Sequence, residues 1–281
     1  MKALDQSPFG SYAPNAIRET FRTLTHRLPP TYAGRKLSSL LLGPAGGRTK
    51  CPRDVTIFET EKARLHPFDN ICEKRVYATP QFWDNAERVK LAAHIAANSQ
   101  ADFYFLDVGA NAGLYTLFAR AETKKARKIL KAACIEPDPE MRSRLAFNVA
   151  ASNAQGEIRI FPYAATAVRG PLGFKVNVKS RGLSKVDESG SATVQGAPLT
   201  EIIQAETGFP RIDAMKIDIE GHEFPALDAF FKTAPKTLFP SIVILEISHD
   251  DAQSSTLTRC KQAGYRVLLK TKMNAVLKRR D

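Results

Sequence analysis

The chain has 281 residues, 43% of them hydrophobic, and a formal net charge of +12. That length and apolar content predict one large α/β domain with an N-terminal extension, and no apolar run of about 18 residues predicts a membrane-crossing helix. The basic balance favours anionic partners such as nucleic acid, acidic glycan or a membrane surface, without choosing among them.

Residues 14–28 predict a short amphipathic helix with Ile17, Phe21, Leu24 and Leu28 on one side, ended by Pro29-Pro30. Residues 34–53 hold Gly43, Pro44, Gly46, Gly47 and Pro52 and read as a linker. The run from Gly43 to Lys50 lacks the Gly-Lys-Ser/Thr order of a phosphate loop. The division expected is an extension over 1–53 and a main domain over 54–281. Residues 54–68 alternate like a strand or hairpin, and 80–98 predict a helix capped by Thr79, with Pro80 first and Phe82, Val89 and Ile95 among its apolar positions.

Strand then alternates with helix. Strands are expected at 103–108, 131–136, 157–162, 212–218 and 241–247, and helices at 113–121, 139–151, 222–231 and 251–263. Strands at 265–270 and 274–278 close the chain as an antiparallel pair. This alternation predicts a mostly parallel sheet covered on both faces. Residues 170–198 interrupt it with glycines, serines and one alternating edge strand, Phe174 to Val178. Such a long loop is expected to wall a binding site. Lys124, Lys125, Arg127, Lys128 and Lys131 read as a solvated helix face, and Lys278, Arg279 and Arg280 as a disordered tail. Cys51, Cys72, Cys134 and Cys260 show no close pairing and no zinc spacing, which suits a cytoplasmic location. The first 30 residues lack the apolar core of a signal peptide.

Two motifs carry chemistry. Phe105-Leu106-Asp107-Val108-Gly109-Ala110-Asn111-Ala112-Gly113 is a buried strand running into a glycine turn that opens a helix. The next predicted strand ends at Glu136, about 20 residues on, where an acid holds ribose hydroxyls. Asn111 stands where a dinucleotide fingerprint needs its second glycine, and the carboxylate of Asp107 would repel a pyrophosphate. S-adenosylmethionine carries a sulfonium, an ammonium and a ribose but no phosphate, so it is the cofactor expected. The second motif, Met215-Lys216-Ile217-Asp218-Ile219-Glu220-Gly221-His222-Glu223, gathers four titratable groups at the carboxyl end of a strand, where open α/β sheets bind ligands.

These motifs, with Ile135-Glu136-Pro137-Asp138-Pro139 between them and Leu145, Asn148, Asn153 and Leu227 following, resemble the FkbM family of S-adenosylmethionine-dependent methyltransferases across residues 102–230. The resemblance implies a seven-stranded Rossmann-like sheet with a cofactor core over 102–250, and methyl transfer to an oxygen of a sugar, glycan or secondary metabolite. It implies that Asp107, Gly109, Ala110, Asn111 and Gly113 line the methionine end of the cofactor and that Glu136 binds its ribose. Asp138, or the backbone near it, and Ala164 or Ala165 would border the adenine. Asp218, Glu220 and His222 would face the transferred methyl, with Asp218 also near the sulfonium. Residues 1–50 have no counterpart in the family.

A histidine is the natural base for a hydroxyl acceptor near neutral pH. His222 is the first candidate and His249 the second. Asp218, Glu220 and Glu246 could gather oxygen ligands for Mg²⁺, but no spacing demands an ion and none is assigned. An RNA or DNA methyltransferase would suit the charge. However, Asp218-Ile219-Glu220-Gly221 occupies the place of the Asn/Asp-Pro-Pro-Tyr/Phe motif of amino-methylating enzymes, and its carboxylates would repel a phosphate backbone. The intact turn and Glu136 weigh against a catalytically dead scaffold. The partner expected is a small-molecule or glycan acceptor, with no specific nucleic acid.

Overall fold

A computed structural model describes residues 7–177, 181–187, 189–249 and 255–280. Helix α1 (Ala16–His26) is capped by Asn15, whose side chain accepts from the Arg18 amide. Only part of the predicted apolar stripe faces inward: Phe21 packs on the core, whereas Ile17 is 69% exposed and Arg22 and Thr25 are buried. The helix docks through polar groups as well. The Arg22 guanidinium lies over the Tyr77 ring and the Thr25 hydroxyl donates to the Ala78 carbonyl. The expected linker contains a second helix, α2 (Tyr32–Leu41), capped by Thr31. The turn-forming glycines begin only after it, and the Tyr77 hydroxyl secures that turn at the Ala45 carbonyl.

Strands β1 (Arg53–Ile57) and β2 (Glu61–Leu65) form an antiparallel hairpin. Helix α3 (Ile71–Ala78) has no forecast, being eight residues long without an apolar period. Asn70 caps it by accepting from the amides of Cys72 and Glu73. The helix expected from residue 80 starts later, as α4 (Asn85–Ala97), because Asp84 is left-handed at φ 42. Leu91 and Ile95 face its core, while Val89 is exposed.

The regular alternation follows: β3 (Asp102–Val108), α5 (Leu114–Lys125), β4 (Ile129–Ile135), α6 (Pro139–Ala151) and β5 (Ile158–Phe161). Residues 163–197 are not a structureless loop. They contain β6 (Tyr163–Ala165), β7 (Gly170–Lys175), β8 (Lys185–Val186) and β9 (Ala192–Ala197), a small sheet in the order β6-β9-β7-β8. Val178, in the expected edge strand, lies outside the described residues. The chain then returns through α7 (Leu199–Ile202), β10 (Ala214–Ile217), α8 (Glu223–Thr233), β11 (Ile242–Glu246), α9 (Thr256–Gln262), β12 (Tyr265–Lys270) and β13 (Asn274–Arg279).

The main sheet has seven strands in the order β12-β13-β11-β10-β3-β4-β5. Pairing is parallel from β11 to β5, and β13 runs antiparallel to both β11 and β12. Strand residues alternate between two cores. Phe103, Phe105, Cys134 and Ile244 pack with Tyr77, Trp83, Leu91 and Leu117. Leu106, Val108, Ile135 and Leu245 pack with Ile202, Leu227 and Phe230 on the other face.

The hairpin and the segment after it are tied to the sheet's helices by buried ion pairs. Arg120 on α5 reaches Glu61 at 2.6 Å and Glu157 at 2.7 Å. Arg144 on α6 holds Asp69, Glu73 and Glu140 within 3.0 Å. The predicted solvated face of α5 is partly engaged here, since Lys124 pairs with Glu61. Lys278 and Arg279 belong to β13 rather than to a loose tail. No helix among the described residues is long and apolar enough to cross a membrane.

Candidate functional site

The order of strands reverses at β3, whose parallel neighbours are β4 on one side and β10 on the other. Crevices form beyond the carboxyl ends of strands at such a point. The turn after β3 is built on left-handed residues, with Gly109 at φ 75, Asn111 at φ 52 and Gly113 at φ 82. A Cβ on Gly109 would lie 1.9 Å from the Asp218 carbonyl oxygen. Glycine here allows the ends of β3 and β10 to touch, so the obstacle to a side chain is the protein's own backbone rather than a ligand.

This turn aims Glu136. The Asn111 amide donates to Oε2 and the Asp138 amide to Oε1, each at 2.8 Å. Burial pushes the Glu136 carboxyl up to about 7 despite these two bonds. A carboxylate accepts about four hydrogen bonds, so both oxygens retain capacity for ligand hydroxyls. The Asn111 side chain is fixed in turn by Asn70, whose amide donates to Asn111 Oδ1 at 2.7 Å.

Glu136 faces a cleft of about 530 Å³, its open mouth included. The sequence candidates Gly109, Asn111, Glu136, Ala164, Ala165, Asp218, Glu220 and His222 all meet on its wall. Asp107, Ala110, Gly113 and Asp138 stand behind it. Asp107 shares its strand face with Phe103 and Phe105, so it points toward α5, where the Thr116 hydroxyl donates to it at 2.6 Å. Burial raises the Asp107 carboxyl above its ordinary range. Ala110 is buried and its amide donates to the Ile135 carbonyl. Gly113 opens α5 against Leu145, and Asp138 caps α6 by accepting from the Glu140 amide. Sequence reasoning missed Pro137, Met141 and Tyr163 on the wall. It also expected a loop to close the site, and the small sheet supplies Phe174, Lys185 and Val186 there. The alternation from Phe174 to Val178, which overlaps β7 only at Phe174 and Lys175, was the one available signal for that sheet.

The residues following β10 divide their roles. The buried Lys216 ammonium binds Asp218 at 2.6 Å and lies 5.1 Å from the Tyr115 ring centre. Burial opposes the charge on Asp218, but Lys216 outweighs it and holds the carboxyl below its usual range. His222 occupies the N-terminal cap position of α8 without making a capping bond. Glu223 organises that turn instead, accepting from the amides of Ile219 at 2.7 Å and Gly221 at 3.0 Å. His222 is therefore left facing the cleft, with Nε2 3.4 Å from the Thr166 hydroxyl. Burial lowers its pKa, which favours the neutral imidazole that can accept a proton. His249 does not join it. It lies 3.3 Å from Glu220, beside Glu246.

A family model described as a methyltransferase FkbM domain matches residues 107–267, more than half of the chain. The hexuronic acid methyltransferase AglP of Haloferax volcanii is 25% identical over 150 residues, covering 53% of this chain and 57% of that protein. The chain thus spans little over half the length of that curated relative. Among solved structures, a methyltransferase FkbM from Methylobacillus flagellatus aligns with a TM-score of 0.46 at 15% identity, over 74% of this chain and 54% of that one. The METTL16 methyltransferase domain aligns with a TM-score of 0.48 at 10% identity, over 92% of this chain and 79% of that one.

Proposed function

The chain belongs to the FkbM methyltransferase family, and on that premise we propose that it transfers the methyl group of S-adenosylmethionine to a hydroxyl oxygen of a sugar or glycan. One observation carries the cofactor reading. Glu136 ends the strand beside the reversal point, is anchored by two backbone amides, and turns its remaining acceptor capacity into the cleft. That is the chemistry a ribose diol requires. In this reading Pro137, Met141, Ala164 and Ala165 border the adenine. Asn111 and Asp218 lie toward the methionine end, where the Asp218 charge complements the sulfonium. Residues 54–281 form the catalytic domain and 1–53 an extension, whose described part, 7–53, packs on it.

Methyl transfer is an in-line displacement. The acceptor oxygen forms its bond to carbon as the sulfur–carbon bond breaks, and the hydroxyl proton leaves. Alignment supplies much of the rate. His222, neutral and facing the cleft, takes the proton, and Glu220 lies on the same wall. The relative's name points to a hexuronic acid, and Lys185 on the wall offers a cation to such a carboxylate.

The test is calorimetric titration of the purified chain with S-adenosylmethionine, followed by mass analysis of uronic-acid and neutral glycan acceptors incubated with both. Saturable cofactor binding and a methyl gain on a glycan are expected. A folded chain that does not bind the cofactor overturns the cofactor reading. Label transferred from methyl-labelled cofactor into RNA or DNA overturns the acceptor reading alone.

A further inference from the structure

A second group of titratable side chains borders the cleft and has no part in holding the cofactor. Glu220 sits in a left-handed turn after β10, at φ 55. Glu246 ends β11, and His249 follows three residues later. One ligand atom from each lies within 4.8 Å of the others. His249 Nε2 is 3.3 Å from Glu220 Oε2 and 3.8 Å from Glu246 Oε1. The neighbouring ammonium of Lys216 is bound to Asp218.

Acidic side chains often gather without holding an ion, so proximity alone decides nothing. The state of Glu246 does. Its side chain is 7% exposed. Oε1 accepts from the Ser248 hydroxyl, whereas Oε2 is buried and meets no donor among the described residues, and the Asp218 carboxyl can hydrogen-bond to Glu246 only if the two share a proton. An unsatisfied buried polar atom costs about 1–3 kcal/mol, more when charged. The oxygen needs a proton or a cation.

We propose that Glu220, Glu246 and His249 form a binding site for one divalent first-row metal ion on the side of the cleft away from Glu136. Two carboxylates and one imidazole suit Mn²⁺ or Zn²⁺ better than Ca²⁺, which prefers a cage of oxygens. With metal–ligand bonds of about 2.1 Å, separations of 3.3 and 3.8 Å correspond to ligand–metal–ligand angles of roughly 105° and 130°. Those angles fit a three-ligand site with positions left open. Glu220 lies on the cleft wall, so the site adjoins the cavity. An acceptor hydroxyl bound there would be made more acidic, and an acceptor carboxylate would be held. That use rests on the methyl-transfer reading, whereas binding of the ion does not.

The experiment uses the full chain stripped with chelator and titrated with MnCl₂, followed by the electron paramagnetic resonance signal of free Mn²⁺, and in parallel with ZnCl₂ by calorimetry. One saturable equivalent per chain is expected for at least one of the two metals. Glu246→Gln keeps the side-chain shape, and His249→Ala alters a half-exposed residue. Each should weaken that binding tenfold or more, while the exposed Glu201→Gln leaves it unchanged. Absence of saturable binding of both ions, or binding unaltered in both site variants, overturns the site and leaves Glu246 with a shared proton. S-adenosylmethionine titrated into the metal-free chain reports on the cofactor reading separately, so the two can fail independently.

Discussion

Replacing Glu136 by glutamine separates ligand binding from stability in a way the structure makes calculable. The carboxylate receives the Asn111 and Asp138 amides, one on each oxygen, at 2.8 Å. A glutamine keeps one acceptor and presents an NH₂ to the other amide, leaving a donor unsatisfied at about 1–3 kcal/mol. Against this, the wild-type carboxyl is raised from 4.5 to about 7 in the empty cleft. The folded state then binds the proton more tightly than the unfolded one, so this group's contribution falls as pH rises from 4.5 through 7. Above pH 7 the buried charge costs about 3 kcal/mol at 1.36 kcal/mol per pKa unit. The two effects offset, and the melting temperature of the empty Glu136→Gln chain at pH 8 should stay close to wild type. Affinity should not. Ribose hydroxyls donating to a charged acceptor contribute about 1.5–3 kcal/mol, and a neutral one about 1, so S-adenosylmethionine binding should weaken roughly 2- to 30-fold. The ionised form is the binding form, so wild-type affinity is full above pH 7. It declines up to about tenfold per unit as pH falls below 7, a slope the variant lacks. Calorimetry from pH 6 to pH 8 on both proteins measures all of this. Equal dissociation constants with equal pH slopes would refute the ribose assignment.

Other perturbations address different parts of the molecule. Gly109→Ala places a Cβ against the Asp218 carbonyl at a left-handed residue. It should cost about 3 kcal/mol or more in urea denaturation, and an unchanged midpoint would show that the ends of β3 and β10 separate freely. Arg144→Met removes the cation shared by fully buried Glu73 and by Asp69, leaving Glu73 with His66, so about 3–5 kcal/mol of stability should be lost. A loss under 1 kcal/mol would mean that the cluster relaxes into solvent. His222→Ala should bind the cofactor normally and lower methyl transfer roughly 10²-fold once an acceptor is found, and unchanged turnover removes His222 from the chemistry. The +12 charge should produce nucleic-acid binding that fades steeply with salt and leads to no methylation.

The order of strands and helices from β3 to α6, and again from β10 to β13, can be read from the sequence. Its parallel strands are buried on both faces and stand out as apolar runs between amphipathic segments. Gly109, Asn111 and Gly113 mark the turn because L-residues other than asparagine seldom adopt its backbone. Glu136 follows from its position at a strand end. Side-chain direction was harder to foresee. Asp107 is in the turn motif, yet strand parity with Phe103 and Phe105 sends it under α5 rather than into the cleft. Ile17, Phe21 and Leu24 make α1 look apolar on one side, yet of these only Phe21 packs on the core, and Arg22 and Thr25 find aromatic and carbonyl partners about fifty residues away. The small sheet over 163–197 was hidden because its glycine-rich strands have little apolar pattern of their own. The meeting of Glu220, Glu246 and His249 depends on β10 and β11 pairing in parallel, which brings two strand ends 29 residues apart in sequence to the same edge. Local backbone preference and burial periodicity are short-range and legible along the chain. Which polar group finds which partner is set by long-range packing, and only the tertiary structure decides it.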